Sequence, residues 1–194
     1  MDRKADIAEY LNEYRQQRKK AKQRCLDENN DRLMPLFLQK LNDLIADQLQ
    51  RRREGTAEKI KFIFLCRLLS SGYTESYESV LGMSSDMLYL DEKKSLVFWN
   101  PAPLYTNIDK DTEEAEKLLR RDFTLLDSFE LFYVKQLLLD DDWGLLKNQF
   151  PVLAGQAVGL LIDSMLDLED EISFLCGNYM DNMEIVWQAE RSRK

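Results

Sequence analysis

The chain has 194 residues, 44% of them hydrophobic and 32% charged, with a formal net charge of −8. That length suits one domain with a proper core and is short for two. The absence of histidine excludes Ser-His and Cys-His nucleophile pairs, the commonest general acid–base group and every histidine-containing zinc site.

Residues 3–28 read as a helix. Ile7, Leu11, Tyr14, Ala21 and Cys25 form a heptad-like stripe that Arg18 interrupts. From Arg15 onward the other faces turn basic in RQQRKKAKQR, and Asn29-Asn30-Asp31 ends the helix. A second helix is expected over 31–53, with Pro35 in its first turn and Phe37, Leu41, Leu44, Ile45 and Leu49 on its apolar face. Arg51, Arg52 and Arg53 close it where the helix dipole favours cations, and Gly55 follows.

Thr56 is a good N-cap for a third helix, whose body IKFIFLCRLLSS is apolar nearly all round and belongs at the centre of the fold. Gly72 closes it. DMLYLDEKKSLVFW then reads as a β-hairpin near residues 86–99, two aromatic-rich runs around a polar turn. NPAP, residues 100–103, forces an extended exit.

Asp111-x-x-Glu114 resembles a capping box for a helix over 112–126. Ser128 caps the next helix, Asp142 a short one ending at Phe150, and Pro151 starts the last, which runs to Gly177. In the tail NYMDNMEIVWQ, strand and helix both remain open; Ile185, Val186 and Trp187 lean toward a strand beside the hairpin. The fold expected is mainly α: a single-domain bundle of five to seven helices over 1–194, with a small inserted β-hairpin and a basic N-terminal helix at 1–28.

No apolar run reaches 18 residues, and MDRKADIAEY has no apolar stretch behind its charges. Neither a membrane span nor a secretory signal is expected. Three scattered cysteines, Cys25, Cys66 and Cys176, suit buried thiols in a reducing cytoplasm better than a disulfide framework.

Four features could carry function. The triple aspartate Asp140-Asp141-Asp142 fails the spacing of a calcium loop, since glycine falls at the fifth position and Pro151 at the twelfth. Its capping chemistry is adequate without metal. On the expected last helix, Asp163, Asp167, Asp170 and Glu171 make an acidic stripe, either a solvated face or a site for a basic partner. The basic residues Arg15, Arg18, Lys19, Lys20, Lys22 and Arg24 lack the interleaved aromatics of a nucleic-acid groove. A solvated face or an internal electrostatic clasp accounts for them, and the clasp expected is with the acidic stripe. Tyr89, Phe98 and Trp99 form the fourth candidate, hot-spot residue types that also fill cores. Gly155 and Gly159 form a GxxxG read as close packing of a helix.

The charge is bipolar. Residues 1–61 hold 15 Lys/Arg and 11 Asp/Glu, whereas residues 122–190 hold 14 acids and 2 bases. The leading expectation is a non-catalytic cytoplasmic protein-interaction module: an adaptor, an immunity-type inhibitor or a complex subunit. No cofactor or metal is assigned, a protein partner is expected, and a homo-oligomer stays open. The alternatives are a nucleic-acid-binding regulator using the basic helix (Arg15 to Arg24) with Arg51 to Arg53, and a carboxylate-dependent metal enzyme using Asp140–Asp142 with Asp163 or Asp167.

Overall fold

The computed structural model describes residues 3–28, 30–179 and 181–190. In chain order the elements are α1 (Arg3–Tyr10), α2 (Asn12–Glu28), α3 (Asn30–Arg53), β1 (Ile60–Arg67), α4 (Ser71–Thr74) and β2 (Ser79–Ser84). A short 3-10 turn at Leu88–Leu90 precedes β3 (Ser95–Trp99), α5 (Ala102–Tyr105), α6 (Ile108–Leu119), α7 (Ser128–Asp163), β4 (Leu168–Asn178) and β5 (Met183–Glu190). The architecture is therefore mixed α/β, which corrects the expectation of a mainly α bundle with a small hairpin. Asn29, expected to help end the first helix, and Met180, in the expected tail element, lie outside the described residues.

The chain clusters into two compact units. One comprises residues 1–31 and 102–146, the other residues 32–101 and 147–194, so the division falls inside α7. Among the described residues, no helix is long and apolar enough to cross a membrane.

The second unit holds a five-stranded sheet in the order β3-β2-β1-β4-β5. β1 and β4 run parallel at its centre, and the other neighbours are antiparallel. The expected central helix IKFIFLCRLLSS is β1 in its first part. Ile63, Phe64, Leu65 and Cys66 are all buried, because a central parallel strand is covered on both faces and reads as a continuous apolar run. Such a run cannot be told from a buried helix by periodicity. The same ambiguity hides β4, and it made the last helix look as though it ran to Gly177; α7 ends at Asp163.

The hairpin expected near 86–99 is half right. Its second run is β3, but the partner strand is β2, at residues 79–84, and residues 87–90 belong to the connection. Asp91 organises that connection, accepting hydrogen bonds from Ser85 N at 2.7 Å, Lys93 N at 2.7 Å and the Ser84 hydroxyl at 3.0 Å. Residues 183–190 of the tail are a strand, but it pairs with β4 at the edge opposite β3, which corrects its expected place beside the hairpin.

One face of the sheet meets α3 and the 147–163 part of α7. Phe37 lies 5.6 Å from Trp99 and 5.9 Å from Phe150, Phe150 lies 6.1 Å from Phe174, and Phe174 lies 5.4 Å from Trp187. On the opposite face, Leu96, Gly82, Phe64, Leu175 and Ile185 are successive cross-strand partners. Gly82 is required there: a Cβ would sit 2.2 Å from the Phe64 ring, which fills the space the missing side chain leaves.

The first unit is helical. α1 and α2 continue one another in hydrogen bonding through Leu11, whose N–H donates to Ile7 O at 3.1 Å while its carbonyl accepts from Arg15 N at 2.9 Å. α6 starts at Ile108, earlier than Asp111 suggested. α7 opens with a reciprocal capping box in which Glu130 N donates to Asp127 at 2.8 Å and Asp127 N donates to Glu130 at 3.1 Å. The cap is thus Asp127 rather than Ser128. Asp140–Asp142 lie in mid-helix, which corrects their reading as a helix break.

Candidate functional site

The most concentrated chemistry lies inside the first unit. On α2, Arg15, Arg18, Lys19 and Lys22 recur at i, i+3, i+4 and i+7 and so share one helix face. Asp141 and Asp142 of α7 and Asp111 of α6 receive them. Arg15 grips Asp141 with two hydrogen bonds, Nε to Oδ2 at 2.7 Å and Nη2 to Oδ1 at 2.9 Å. Lys19 lies 3.7 Å from the same carboxylate.

Arg18 bridges two acids, donating to Asp111 at 2.6 Å and to Asp142 at 2.7 Å. Its third nitrogen donates to the Leu138 carbonyl at 3.3 Å. Lys22 donates to Asp142 at 2.7 Å and to the Leu104 carbonyl at 2.8 Å, with Asp111 3.3 Å away. The Tyr14 hydroxyl donates to the Asp111 carbonyl oxygen at 2.8 Å.

Burial sets the electrostatics of this clasp. Asp142 is 0% exposed, and burial pushes its carboxyl above the usual carboxylate range against the opposing pull of Arg18 and Lys22. Its Oδ1 has no hydrogen-bond partner. Burial also disfavours the charged form of Arg18, but Asp142 and Asp111 outweigh it and hold the guanidinium above its ordinary pKa. For Tyr14, burial first and then the charges of Asp111 and Glu114 push the phenol up. The arrangement holds three helices in register, since each of the three carboxylates meets at least one cation of α2.

A cleft of about 410 Å³ opens beside the clasp, within the size range of small-molecule sites. Ala21, Leu26, Pro103 and Leu104 give it an apolar lining, while Arg18 and Lys22 reach it already held by carboxylates. Cys25 stands at this cleft and is exposed, unlike the buried Cys66 and Cys176. Burial pushes both of the latter thiols up to about 12.

The remaining expected residues are scattered. Lys20 and Arg24 are exposed on α2. Asp163 ends α7, Asp167 lies in the link to β4, and Asp170 and Glu171 are on β4, so they do not form one helix stripe. All four are exposed. The partners of the basic helix are Asp111, Asp141 and Asp142, in place of that stripe. Among the described residues, no group of three His, Cys, Asp or Glu is arranged to hold a metal ion.

Trp99 is 1% exposed and packs on Phe37, so it is a core residue rather than part of a surface. Its neighbour Phe98 points the other way and is 59% exposed, as is Leu96 at 48%. These two stand on β3, an outermost strand that carries no charged side chain. Alternation along SLVFW makes this legible: if Trp99 is inside, Phe98 and Leu96 face away from it. Comparison with protein-family models, curated proteins and solved structures gives no match.

Proposed function

We propose that the chain is a non-catalytic protein-interaction module, an adaptor, immunity-type inhibitor or complex subunit, working in the cytoplasm. The observation that carries this reading is the β3 edge, which presents Leu96 and Phe98 on the sheet face opposite α3 and α7. A single exposed apolar side chain needs no explanation. Two on a charge-free outer strand are different, because such strands offer unpaired backbone groups that monomeric proteins guard with charge, proline or bulges.

The alternatives draw less support. Arg15, Arg18 and Lys22, cations a nucleic acid would need, are bound to carboxylates, leaving that reading to Lys20 and Arg24 on α2 and to Arg51–Arg53 at the end of α3. The carboxylates of Asp141 and Asp142 that a metal enzyme would use already hold cations, Arg15 on Asp141 and Arg18 and Lys22 on Asp142 Oδ2.

The test is capture from a lysate of the source cells on immobilised full chain, read by quantitative mass spectrometry. A stoichiometric protein partner retained by the wild type and by Lys20→Glu/Arg24→Glu, but lost with Phe98→Lys, is expected. Nucleic acid retained in place of protein, or a partner indifferent to Phe98→Lys, would overturn the reading.

A further inference from the structure

Of the two outer strands of the sheet, charge opposes self-pairing at one and permits it at the other. The β4–β5 ribbon carries Glu169, Asp170, Glu171, Asp181, Glu184 and Glu190, with no Lys or Arg between residues 168 and 190. Two β5 strands paired antiparallel about Trp187 would set Glu184 opposite Glu190, and like charges directly opposed destabilise a sheet. β3, Ser95–Trp99, has no charge at all. Two copies paired antiparallel about Val97 set Leu96 of one opposite Phe98 of the other, twice, by symmetry.

Resting on the interaction reading above, we infer that the β3 edge docks a second copy of this chain, the two β3 strands pairing about a twofold axis through Val97. Directly opposed residues of an antiparallel pair share a face. Leu96 and Phe98 therefore meet on the face where both are now exposed, as aromatic–aliphatic pairs of the kind that stabilise sheets. A twofold contact uses the same patch on both copies and closes, so it extends the sheet without leading to fibres. β3 is also held ready. Ser95 Oγ accepts from Gln48 at 2.7 Å, Trp99 is seated on Phe37, and β2 pairs along the strand's inner edge.

Sedimentation velocity of the full chain, in a concentration series across the micromolar range, tests this. The wild type should form a concentration-dependent dimer. Leu96→Glu and Phe98→Lys, each at an exposed position, should weaken it at least about tenfold, a loss of about 1.4 kcal/mol, with circular dichroism unchanged. The two variants mixed in equal amounts should dimerise again, because in this register the introduced glutamate faces the introduced lysine while Phe98 of one chain still faces Leu96 of the other. A wild type that stays monomeric, a dimer that both variants leave intact, or a mixture that is not rescued would each overturn the inference. A monomeric wild type that still loses a captured protein with Phe98→Lys overturns the second copy alone. A monomer whose captured partner ignores Phe98→Lys overturns the interaction reading with it.

Discussion

The two units build their interiors from opposite materials. The first buries Arg18 and Asp142 among helices; the second packs Phe37, Trp99, Phe150 and Phe174 between helices and a sheet. An apolar interior gains from every group withdrawn from water. A charged interior gains only when each ion has its partners, because desolvating the ions offsets most of their attraction. The difference lies in how each fails. Removing one ion leaves another uncompensated, whereas removing one ring leaves a cavity.

Arg18→Ala should break the first unit hardest, since it takes one of two cations from the buried Asp142, leaving Lys22 alone there, and weakens the hold on Asp111. A loss of about 3–5 kcal/mol is expected, read from urea unfolding. A loss close to that of a surface substitution would mean that water reaches Asp142.

In the second unit Phe37→Ala should cost a similar amount, about 3–5 kcal/mol, through lost transfer energy and the cavity left between Trp99 and Phe150. The comparison sharpens with a volume-conserving change. Phe37→Leu should recover much of the loss, whereas Arg18→Lys, which cannot bridge two carboxylates with a planar fork, should recover little.

Gly82→Ala is expected to cost about 1–3 kcal/mol by overpacking, because its new methyl would meet the Phe64 ring at 2.2 Å. Gly82→Ala combined with Phe64→Leu should lose less than the sum of the two single changes. Strict additivity in thermal melts would show that the ring is not what fills the space.

A smaller effect depends on pH. Burial pushes the Asp91 carboxyl up, but the donors Ser85 N, Lys93 N and Ser84 Oγ outweigh it and hold the group below its ordinary 3.8. A carboxyl with a depressed folded pKa contributes stability that is fully present above the unfolded value and is lost as pH falls through the folded value. Asp91→Asn should therefore destabilise the protein at neutral pH and progressively less as the solution is acidified below 3.8. A penalty independent of pH would assign the contribution to shape rather than charge.

The smallest change in thermal melts should come from Leu96→Ser, within about 0.5 kcal/mol, because this side chain is 48% exposed on an outermost strand.

The first long helices of both units were readable locally. Helices over 3–28 and 31–53 follow from stripe spacing and terminal residues, and the structure places helices there. The clasp also left a trace in Arg18, which interrupts the stripe Ile7, Leu11, Tyr14, Ala21, Cys25. An arginine in an apolar stripe points inward and needs an acid. Which acid was not readable, since Asp111 and Asp142 are about a hundred residues away in sequence. The triple aspartate misled for the same reason: three adjacent acids look like punctuation until cations from another helix neutralise two of them.

The sequence by itself determined the amphipathic helices, the β3 alternation that sends Trp99 and Phe98 to opposite faces, and the uneven distribution of charge. These depend on residues within one or two turns of each other, where spacing alone fixes which side chains share a face. Only the tertiary structure decided that Ile60–Arg67 and Leu168–Asn178 are strands and that α7 runs unbroken through Asp140–Asp142. A segment buried on both faces has no polar side to betray its period. Its backbone hydrogen bonds go to whichever partner the distant chain supplies: β1 and β4, paired in parallel across more than a hundred residues, make each other strands.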